Sequence, residues 1–235
     1  QPFIHNFQID PAEFLDDVSQ FQSFNDFFIR KLKPESRPMS GGPTQAVMPA
    51  DARYLFFQDI SKVDGFLVKG EKFDLPSLLN NDVLARSYTQ GTMVMARLCP
   101  TDYHRYHFPC DCVPGDTQLI NGYLYSVNPI ALRKDIQIFT KNKRMICSLD
   151  TFKFGKVLFL EIGATNVGSI HETYQPHTFQ PKGAEKGYFS FGGSSLILLF
   201  EPGKIQIDED LLEATRKGYE MKCLFGQSLG KSLIN

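Results

Sequence analysis

Two glycines followed by two serines lie between apolar segments near the end of the chain. Residues 189–200 read Phe-Ser-Phe-Gly-Gly-Ser-Ser-Leu-Ile-Leu-Leu-Phe. Glycine permits backbone conformations that other residues cannot adopt. Most Gly-Gly-Ser-Ser segments are therefore turns between strands. A Gly193–Ser194 bond held rigidly between two strands is also a place where the neighbouring hydroxyl can attack a strained peptide. Ser194 is therefore a candidate nucleophile.

A second motif, Asp-Tyr-His-Arg-Tyr-His-Phe-Pro-Cys-Asp-Cys at residues 102–112, offers acid–base or metal chemistry. Four of its side chains are of types that bind zinc: His104, His107, Cys110 and Cys112. However, Pro109 interrupts the segment, no second ligand pair follows at zinc-finger spacing, and residues three apart on a strand point to opposite faces. The spacing therefore disfavours a metal. On this segment alone, histidines without a chemical role are the simplest alternative.

Two weaker signals are an aspartate in Met-Pro-Ala-Asp at residues 48–51 and a run of small residues, Gly-Ala-Thr-Asn-Val-Gly-Ser-Ile, at residues 163–170. A lone Asp51 after proline is usually a turn residue. Small residues let a backbone approach a ligand closely, but a tight turn explains them equally well.

The composition limits the size of the fold and excludes some partners. The chain has 235 residues, enough for one domain, and its net charge of −1 gives no general attraction to nucleic acid, which we exclude as a partner. Its 21 Phe, with no Trp, predict a Phe-rich core or, alternatively, an apolar ligand pocket or membrane-facing surface.

The cysteines and the apolar runs give indications of the compartment. Five cysteines without a framework spacing predict reduced thiols in a reducing compartment. No apolar run approaches the ~20 residues that span a bilayer. Because residue 1 is Gln rather than Met, a signal, transit peptide or anchor helix can precede this sequence.

Two amphipathic helices are predicted at the N-terminus. The first starts at residues 10–13 with a capping Asp, Pro at the first helical position and Glu closing a capping box. Its apolar face comprises Phe14, Leu15, Val18 and Phe21. The second runs from Ser23 to Leu32 and stops before Pro34. Packing of both helices on the domain is favoured over membrane binding.

Between residues 48 and 200, short apolar or alternating segments are separated by Gly, Pro, Asn and Asp, which indicates a β-rich body. The predicted strands are Tyr54–Phe57, Gly65–Val68, Met93–Leu98, Thr117–Tyr125, Ile136–Phe139, Lys156–Ile162 and Leu196–Phe200. Helices are predicted at Leu75–Leu79 and at Asp208–Lys217. We therefore expect one α+β domain over residues 1–235, a β-rich single domain with amphipathic N-terminal helices and a short C-terminal helix.

In their order along the chain, these motifs resemble the phosphatidylserine decarboxylase family. The resemblance covers nearly the whole sequence, at residues 24–28, 30–34, 49–51, 69–75, 102–107, 126–129, 163–170, 182–185 and 192–195. His-Arg-x-His combined with the Gly-Ser motif is its most specific part. Two positions depart from the family pattern, because Ser195 stands where Thr is common and Ala52 where Gly often follows Pro-Ala-Asp. Serine keeps the hydroxyl, and Ala52 leaves the Asp51 carboxylate in place.

The resemblance implies that the chain is a zymogen that cuts itself. Ser194 would attack the carbonyl of Gly193, His107 would take the hydroxyl proton, and Asp51 would orient the imidazole. The ester formed would eliminate and then hydrolyse to a covalent pyruvoyl group derived from Ser194. The products would be a large chain, residues 1–193, and a small pyruvoyl-bearing chain, residues 194–235.

The resemblance also implies a carboxy-lyase that converts phosphatidylserine to phosphatidylethanolamine without a metal. The pyruvoyl group would accept the electrons released as CO₂ leaves, and His104 would protonate the resulting carbanion. A peripheral membrane protein is implied, on the reducing side of a bacterial inner membrane or a eukaryotic organelle membrane, and relatives suggest a homodimer. The excess of Phe and the N-terminal helices would then serve the lipid tails.

Three alternatives stay open. A pyruvoyl decarboxylase could act on a soluble amino acid, although the Phe excess argues mildly against it. A lipid-binding relative that no longer processes itself is disfavoured by the intact Asp51, His107 and Ser194. A zinc-binding module is the third alternative.

Overall fold

The computed structural model describes residues 2–62, 74–132, 134–165, 169–192 and 194–234. Within these ranges the strands are β1 (Gln45–Val47), β2 (Ala52–Phe57), β3 (Thr92–Leu98), β4 (Arg105–His107), β5 (Cys112–Ile120), β6 (Arg144–Thr151), β7 (Lys156–Gly163), β8 (Ile170–Glu172), β9 (Glu185–Phe189), β10 (Ser194–Phe200), β11 (Ile205–Ile207), β12 (Met221–Cys223) and β13 (Ser228–Ser232).

The helices are short and lie mostly outside the sheets. They are α1 (Pro2–Asn6), α2 (Phe24–Phe28), α3 (Leu75–Leu79), α4 (Asp82–Arg86), α5 (Pro129–Leu132), α6 (Ile138–Lys141) and α7 (Glu209–Arg216). Single 3₁₀ turns occur at Pro11–Glu13, Val18–Gln20, Pro34–Ser36 and Ile60–Lys62.

Strand β10 lies in the middle of a seven-stranded antiparallel sheet with the order β12-β2-β3-β10-β7-β6-β5. Its residues are all buried, because apolar layers cover both faces of the sheet. Leu196 and Leu198 pack in a core with α7 and the two smaller sheets, whereas Ile197 and Leu199 pack in a second core with α3 and α6. A continuous apolar sequence is what a strand buried on both faces requires.

Two three-stranded sheets, β4-β9-β8 and β1-β13-β11, pack on the main sheet. The first carries the His-Arg-x-His motif in and around β4, which pairs with β9. The backbone N–H of Phe189 donates to the carbonyl of His104 at 3.0 Å. Because β9 runs directly on towards β10, this pairing holds the histidine segment beside the start of β10.

Several predicted elements are confirmed. The structure contains strands at Ala52–Phe57, Thr92–Leu98, Lys156–Gly163 and Ser194–Phe200, and helices at Leu75–Leu79 and Glu209–Arg216. Thr117–Tyr125 is a strand only as far as Ile120. Gly65–Val68 lies outside the described residues. The prediction of a β-rich α+β fold is confirmed.

The predicted first N-terminal helix is wrong, because it is two separate 3₁₀ turns. Asp10 and Asp17 each accept a backbone N–H and so begin one turn apiece. Phe14, between the turns, forms a β-bridge with Leu32 and is buried. Glu13 binds Arg37 instead of closing a capping box. Helices this short are marginal in water, so these tertiary contacts decide the conformation.

The second predicted helix and one predicted strand also differ from the structure. The predicted start at Ser23 is confirmed, and Ser23 forms a capping box with Asp26, but the helix ends at Phe28, since Leu32 pairs with Phe14. The predicted strand Ile136–Phe139 is wrong, because this segment leads into helix α6. Its apolar residues Ile138 and Phe139 pack against α3, and a short apolar run does not distinguish a strand from a buried helical turn.

Candidate active site

Ser194 is the first residue of β10 and is completely buried. It lies opposite Leu98 of β3 on one side and Gly163 of β7 on the other, so its backbone is held between two strands. Its Oγ lies 3.4 Å from Nδ1 of His104. Gly193 lies outside the described residues. The hydroxyl predicted as nucleophile therefore faces an imidazole nitrogen inside the protein.

The tautomer of His104 follows from its second nitrogen. Nε2 lies 2.9 Å from the carbonyl oxygen of Cys99, and a carbonyl can only accept. Nε2 therefore carries the hydrogen, which leaves Nδ1 as the acceptor for the Ser194 hydroxyl. Burial lowers the pKa of His104 to about 3, with the Cys99 carbonyl raising it and the charge of Arg30 lowering it further. The imidazole is thus neutral, and its Nδ1 can accept a hydrogen bond from the Ser194 hydroxyl.

Asp102 holds the Cys99 carbonyl in place, and sequence reasoning assigned it no role. Its carboxylate Oδ2 accepts the backbone N–H of Cys99 at 2.7 Å, while its own N–H donates to the Cys99 carbonyl at 2.9 Å. Burial raises the pKa of Asp102. The available signal was an acidic residue two positions before His104 in Asp-x-His.

His107 has different partners. Its Nδ1 lies 3.0 Å from the Gly183 carbonyl, its Nε2 lies 3.3 Å from the Tyr103 hydroxyl, and its ring stacks on Phe225 with centroids 3.6 Å apart. Burial lowers the pKa of His107 to about 3 as well. Both nitrogens are therefore occupied by groups other than Ser194.

Asp51 is bound by an arginine rather than by a histidine. Its carboxylate accepts from Nε of Arg37 at 3.0 Å and from Nη2 at 2.6 Å, and it also accepts the backbone N–H of Phe225 at 2.8 Å. Asp51 and His107 thus both contact Phe225, Asp51 at the backbone N–H and His107 at the ring, and no hydrogen bond joins Asp51 to His107. The structure brings Ser194 together with His104, and it does not assemble the predicted hydrogen-bonded series Ser194–His107–Asp51.

A cavity of about 240 Å³ opens beside the segment that leads into β10. Its wall includes Arg97, Cys99, Asn128, Thr165 and Gly192. The loop after β7, which the sequence singled out for its small residues, therefore contributes to this cavity through Thr165. Polar groups at one end and a buried nucleophile nearby are features of a small-ligand site.

The zinc-type residues of the second motif do not converge. The nitrogens of His104 and His107 face separate partners, and Cys110 and Cys112 are buried free thiols. Across the part of the chain that the structure describes, no group of three or more His, Cys, Asp or Glu side chains is arranged to hold a metal ion.

Comparison with known proteins identifies the family. The family profile described as phosphatidylserine decarboxylase matches residues 24–231. A phosphatidylserine decarboxylase proenzyme of Chlamydia pneumoniae is 50% identical over 232 residues, which cover 99% of this chain and 77% of the relative. The proteins of the same name from Chlamydia muridarum and Chlamydia caviae are each 51% identical over 231 residues, 98% of this chain and 77% of the relative. This chain belongs to the phosphatidylserine decarboxylase family.

Proposed function

We propose that this protein decarboxylates phosphatidylserine to phosphatidylethanolamine after cutting its own backbone between Gly193 and Ser194. The observation that carries the proposal is the 3.4 Å approach of Ser194 Oγ to a neutral imidazole nitrogen of His104. Relatives that are about half identical over almost the whole chain are named as phosphatidylserine decarboxylase proenzymes, which supports both the activity and the self-processing.

Self-processing begins with the Ser194 hydroxyl, which attacks the carbonyl carbon of Gly193. Nδ1 of His104 takes the hydroxyl proton, and the Cys99 carbonyl keeps the imidazole in the required tautomer. The C–N bond breaks to leave an ester, and β-elimination then releases the new carboxylate of Gly193. Hydrolysis of the resulting dehydroalanine frees ammonia and leaves a pyruvoyl group on the small chain, residues 194–235.

The geometry supports His104 as the residue that takes the Ser194 hydroxyl proton, the role that the family resemblance implies for His107. His104 directly precedes β4 and His107 is its last residue, and the two imidazoles have no partner in common. Of the two imidazoles, only that of His104 lies within hydrogen-bonding distance of the Ser194 hydroxyl. We therefore assign the first proton transfer to His104.

The residues around Ser194 fit a pyruvoyl group, because the precursor hydroxyl is buried beside a neutral base and both flanking strands hold its backbone. When formed, this group supplies an electron-accepting carbonyl for the loss of CO₂. His104 is then the residue placed to return a proton to the substrate carbon, as the resemblance implies.

His107 and Asp51 act in this proposal as positioning residues. The cut would leave both in the large chain, whereas Phe225 would belong to the small chain. Asp51 accepts the N–H of Phe225, and the His107 ring covers its side chain. Arg37 neutralises the Asp51 carboxylate in the buried site. These contacts would keep the two chains together after processing.

A peripheral membrane position is supported by apolar side chains near the cut. Phe191, two positions before Gly193, is 42% exposed and packs against Phe24 with ring centroids 5.0 Å apart. Phe7 and Leu15 are also exposed on the N-terminal segment. In the described residues, no helix is both long and apolar enough to cross a bilayer. We propose that this surface lies against lipid and receives the acyl chains.

The test is the intact mass of freshly purified protein, followed over time and combined with a decarboxylation assay on phosphatidylserine vesicles. Wild-type protein should yield a fragment starting at residue 194 and release CO₂, and Ser194→Ala should do neither. A wild-type protein that stays full length would contradict the self-processing. Equal turnover of free serine and the lipid would instead indicate an enzyme for a soluble amino acid.

A further inference from the structure

A row of basic side chains crosses the main sheet from a point beside the proposed cut. Arg97 of β3 lies opposite Ser195 of β10 and opposite Arg53 of β2. Lys222 of β12 continues the row opposite Arg53. Residues opposite each other on antiparallel strands lie ~5 Å apart with their side chains on the same face. The row therefore begins one residue from Ser194 and runs to the edge of the sheet, on the face opposite to the one that the Ser194 side chain occupies.

The two guanidinium groups of this row converge on a weak acceptor. Nη1 of Arg53 lies 3.0 Å from Sγ of Cys99, and Nη1 of Arg97 lies 3.2 Å from the same sulfur. A thiol accepts hydrogen bonds only weakly, and two like charges this close repel each other. An anionic oxygen at this point would accept from both groups and offset their repulsion. The two guanidinium groups are therefore arranged as they would be around a bound anion.

Nearby carboxylates balance only part of the charge. Glu220 accepts from Nε and Nη2 of Arg97 at 3.0 and 2.6 Å, which leaves Nη1 without a carboxylate. Asp102 lies 3.6 Å from Nη1 of Arg53. With Lys222 included, three cations face two carboxylates, so one net positive charge remains. A phosphodiester carries the single negative charge that would balance it.

A buried hydroxyl without a partner points to a ligand at the same place. Ser195 is 1% exposed, and its Oγ has no hydrogen-bond partner among the residues that the structure describes. It lines a gap of about 20 Å³, the size of a water molecule, between Arg53, Arg97 and Glu220 on one side and, on the other, apolar side chains that include Leu55, Met95, Leu132 and Phe139. Buried hydroxyls are normally hydrogen-bonded, so the Ser195 hydroxyl is available to a small polar group that enters this gap beside Arg97.

The anion site adjoins the cavity beside the cut. Arg97, Cys99 and Gly192 line that cavity, and the carbonyl of Cys99 holds His104. A phospholipid headgroup whose amine reaches the carbon atoms of Ser194 has its phosphate only a few bonds away. We infer that Arg97 and Arg53 bind the phosphodiester of the lipid substrate and thereby select a phosphorylated headgroup over a free amino acid. This inference rests on the proposed function.

The experiment compares Arg53→Gln and Arg97→Gln with Arg216→Gln, a control in an exposed ion pair with Glu209 on α7. Intact mass should show processing in all three variants. In detergent micelles containing phosphatidylserine, the KM should rise about 10- to 100-fold for Arg53→Gln and Arg97→Gln, with kcat little changed, because a charge-assisted contact is lost. The control should match wild type.

Binding to the processed protein supplies a readout without turnover. Calorimetry with glycerophosphoethanolamine, ethanolamine and inorganic phosphate should show that wild type and Arg216→Gln bind the first compound most tightly. Arg53→Gln and Arg97→Gln should lose this preference. Arg97→Gln leaves Glu220 unpaired and can therefore fail to fold. The Arg53 side chain is 35% exposed, so Arg53→Gln should fold and keeps the comparison informative.

Several results would overturn the inference. If both arginine variants match the control in KM and in binding while wild type processes and decarboxylates, the inference fails and the proposed function stands. Inorganic phosphate that binds as tightly as glycerophosphoethanolamine without inhibiting decarboxylation would indicate an anion site unrelated to the substrate. A wild-type protein inactive on phosphatidylserine would refute the proposed function and this inference together.

Discussion

The two histidines of the His-Arg-x-His motif lie in surroundings that share several features. Both rings are buried, both have a pKa lowered to about 3 by burial, and both meet a backbone carbonyl through one nitrogen. The second nitrogen separates them, since that of His104 faces Ser194 Oγ and that of His107 faces the Tyr103 hydroxyl. In the proposed mechanism, similar electrostatics serve proton transfer at His104 and packing against Phe225 at His107.

The comparison also extends to the two aspartates. Asp102 reaches His104 through the backbone of Cys99, and Asp51 reaches His107 through Phe225. Neither carboxylate hydrogen-bonds an imidazole directly. A carboxylate can thus fix the position of a histidine through a backbone group, and the charge is then balanced elsewhere, by Arg37 for Asp51.

The largest expected effect separates the two histidines. His104→Ala removes the proton acceptor for Ser194, so self-cleavage should slow by ~10²–10⁴-fold, the usual contribution of general acid–base catalysis. His107→Ala should still cut itself, because its ring does not touch Ser194. Time courses of intact mass on the two variants measure the difference. An uncut His107→Ala beside a normally cut His104→Ala would restore the assignment that the sequence predicts.

A smaller effect is expected at Asp51, on stability rather than on processing. Asp51→Asn weakens the ion pair of Arg37 and the bond to Phe225, so the free energy of unfolding should fall by ~1–3 kcal/mol. Asp150→Asn is the matched control, because its ion pair with Lys156 is exposed and contributes ~0–1 kcal/mol. Denaturant titration of unprocessed protein, made with Ser194→Ala, provides the measurement. An Asp51→Asn change that leaves this unprocessed protein as stable as the control, but that prevents self-cleavage when Ser194 is present, would point to a direct catalytic role.

The buried imidazoles also predict a pH dependence of stability. A histidine with a folded pKa near 3 binds a proton in the unfolded chain from about pH 6.5 downwards but stays neutral in the folded protein. The stability that each such group contributes is fully present above pH ~6.5. Below that pH, the free energy of unfolding falls by about 1.4 kcal/mol per pH unit for each group until the pH approaches 3. His107→Phe should remove one such contribution, so stability should depend less steeply on pH between 6 and 4.5. Identical slopes for variant and wild type would show that His107 is not held neutral.

The smallest expected effect is that of a chelator. Because the histidine nitrogens face separate partners and the nearby cysteines are buried thiols, EDTA should change neither processing nor decarboxylation. Elemental analysis before and after dialysis supplies the control. Stoichiometric zinc that is lost together with activity would reverse this expectation.

Much of the fold could be predicted because its main elements have strong local signals. The apolar run of β10 predicts a strand buried on both faces, and the cap and glycine around α7 predict its ends. The strands that were not predicted are β1, β4, β6, β8, β9, β11, β12 and β13. All of them except the eight-residue β6 have only three to five residues, which carry little periodicity. The N-terminal turns were misassigned because the contact of Phe14 with Leu32 outweighs helical spacing.

For the site, the amino-acid sequence by itself determined which residues are available: a serine after two glycines, two histidines three apart, and an aspartate after Pro-Ala. The three-residue spacing also predicted that the histidines cannot exchange places, because residues three apart on a regular strand point to opposite faces. Only the tertiary structure decided which of them faces Ser194, since that depends on how β4 pairs with β9 beside β10. The carbonyl of Cys99 and the meeting of Arg37 with Asp51 were likewise decided by folding, because backbone groups and long-range ion pairs leave no local pattern in a sequence.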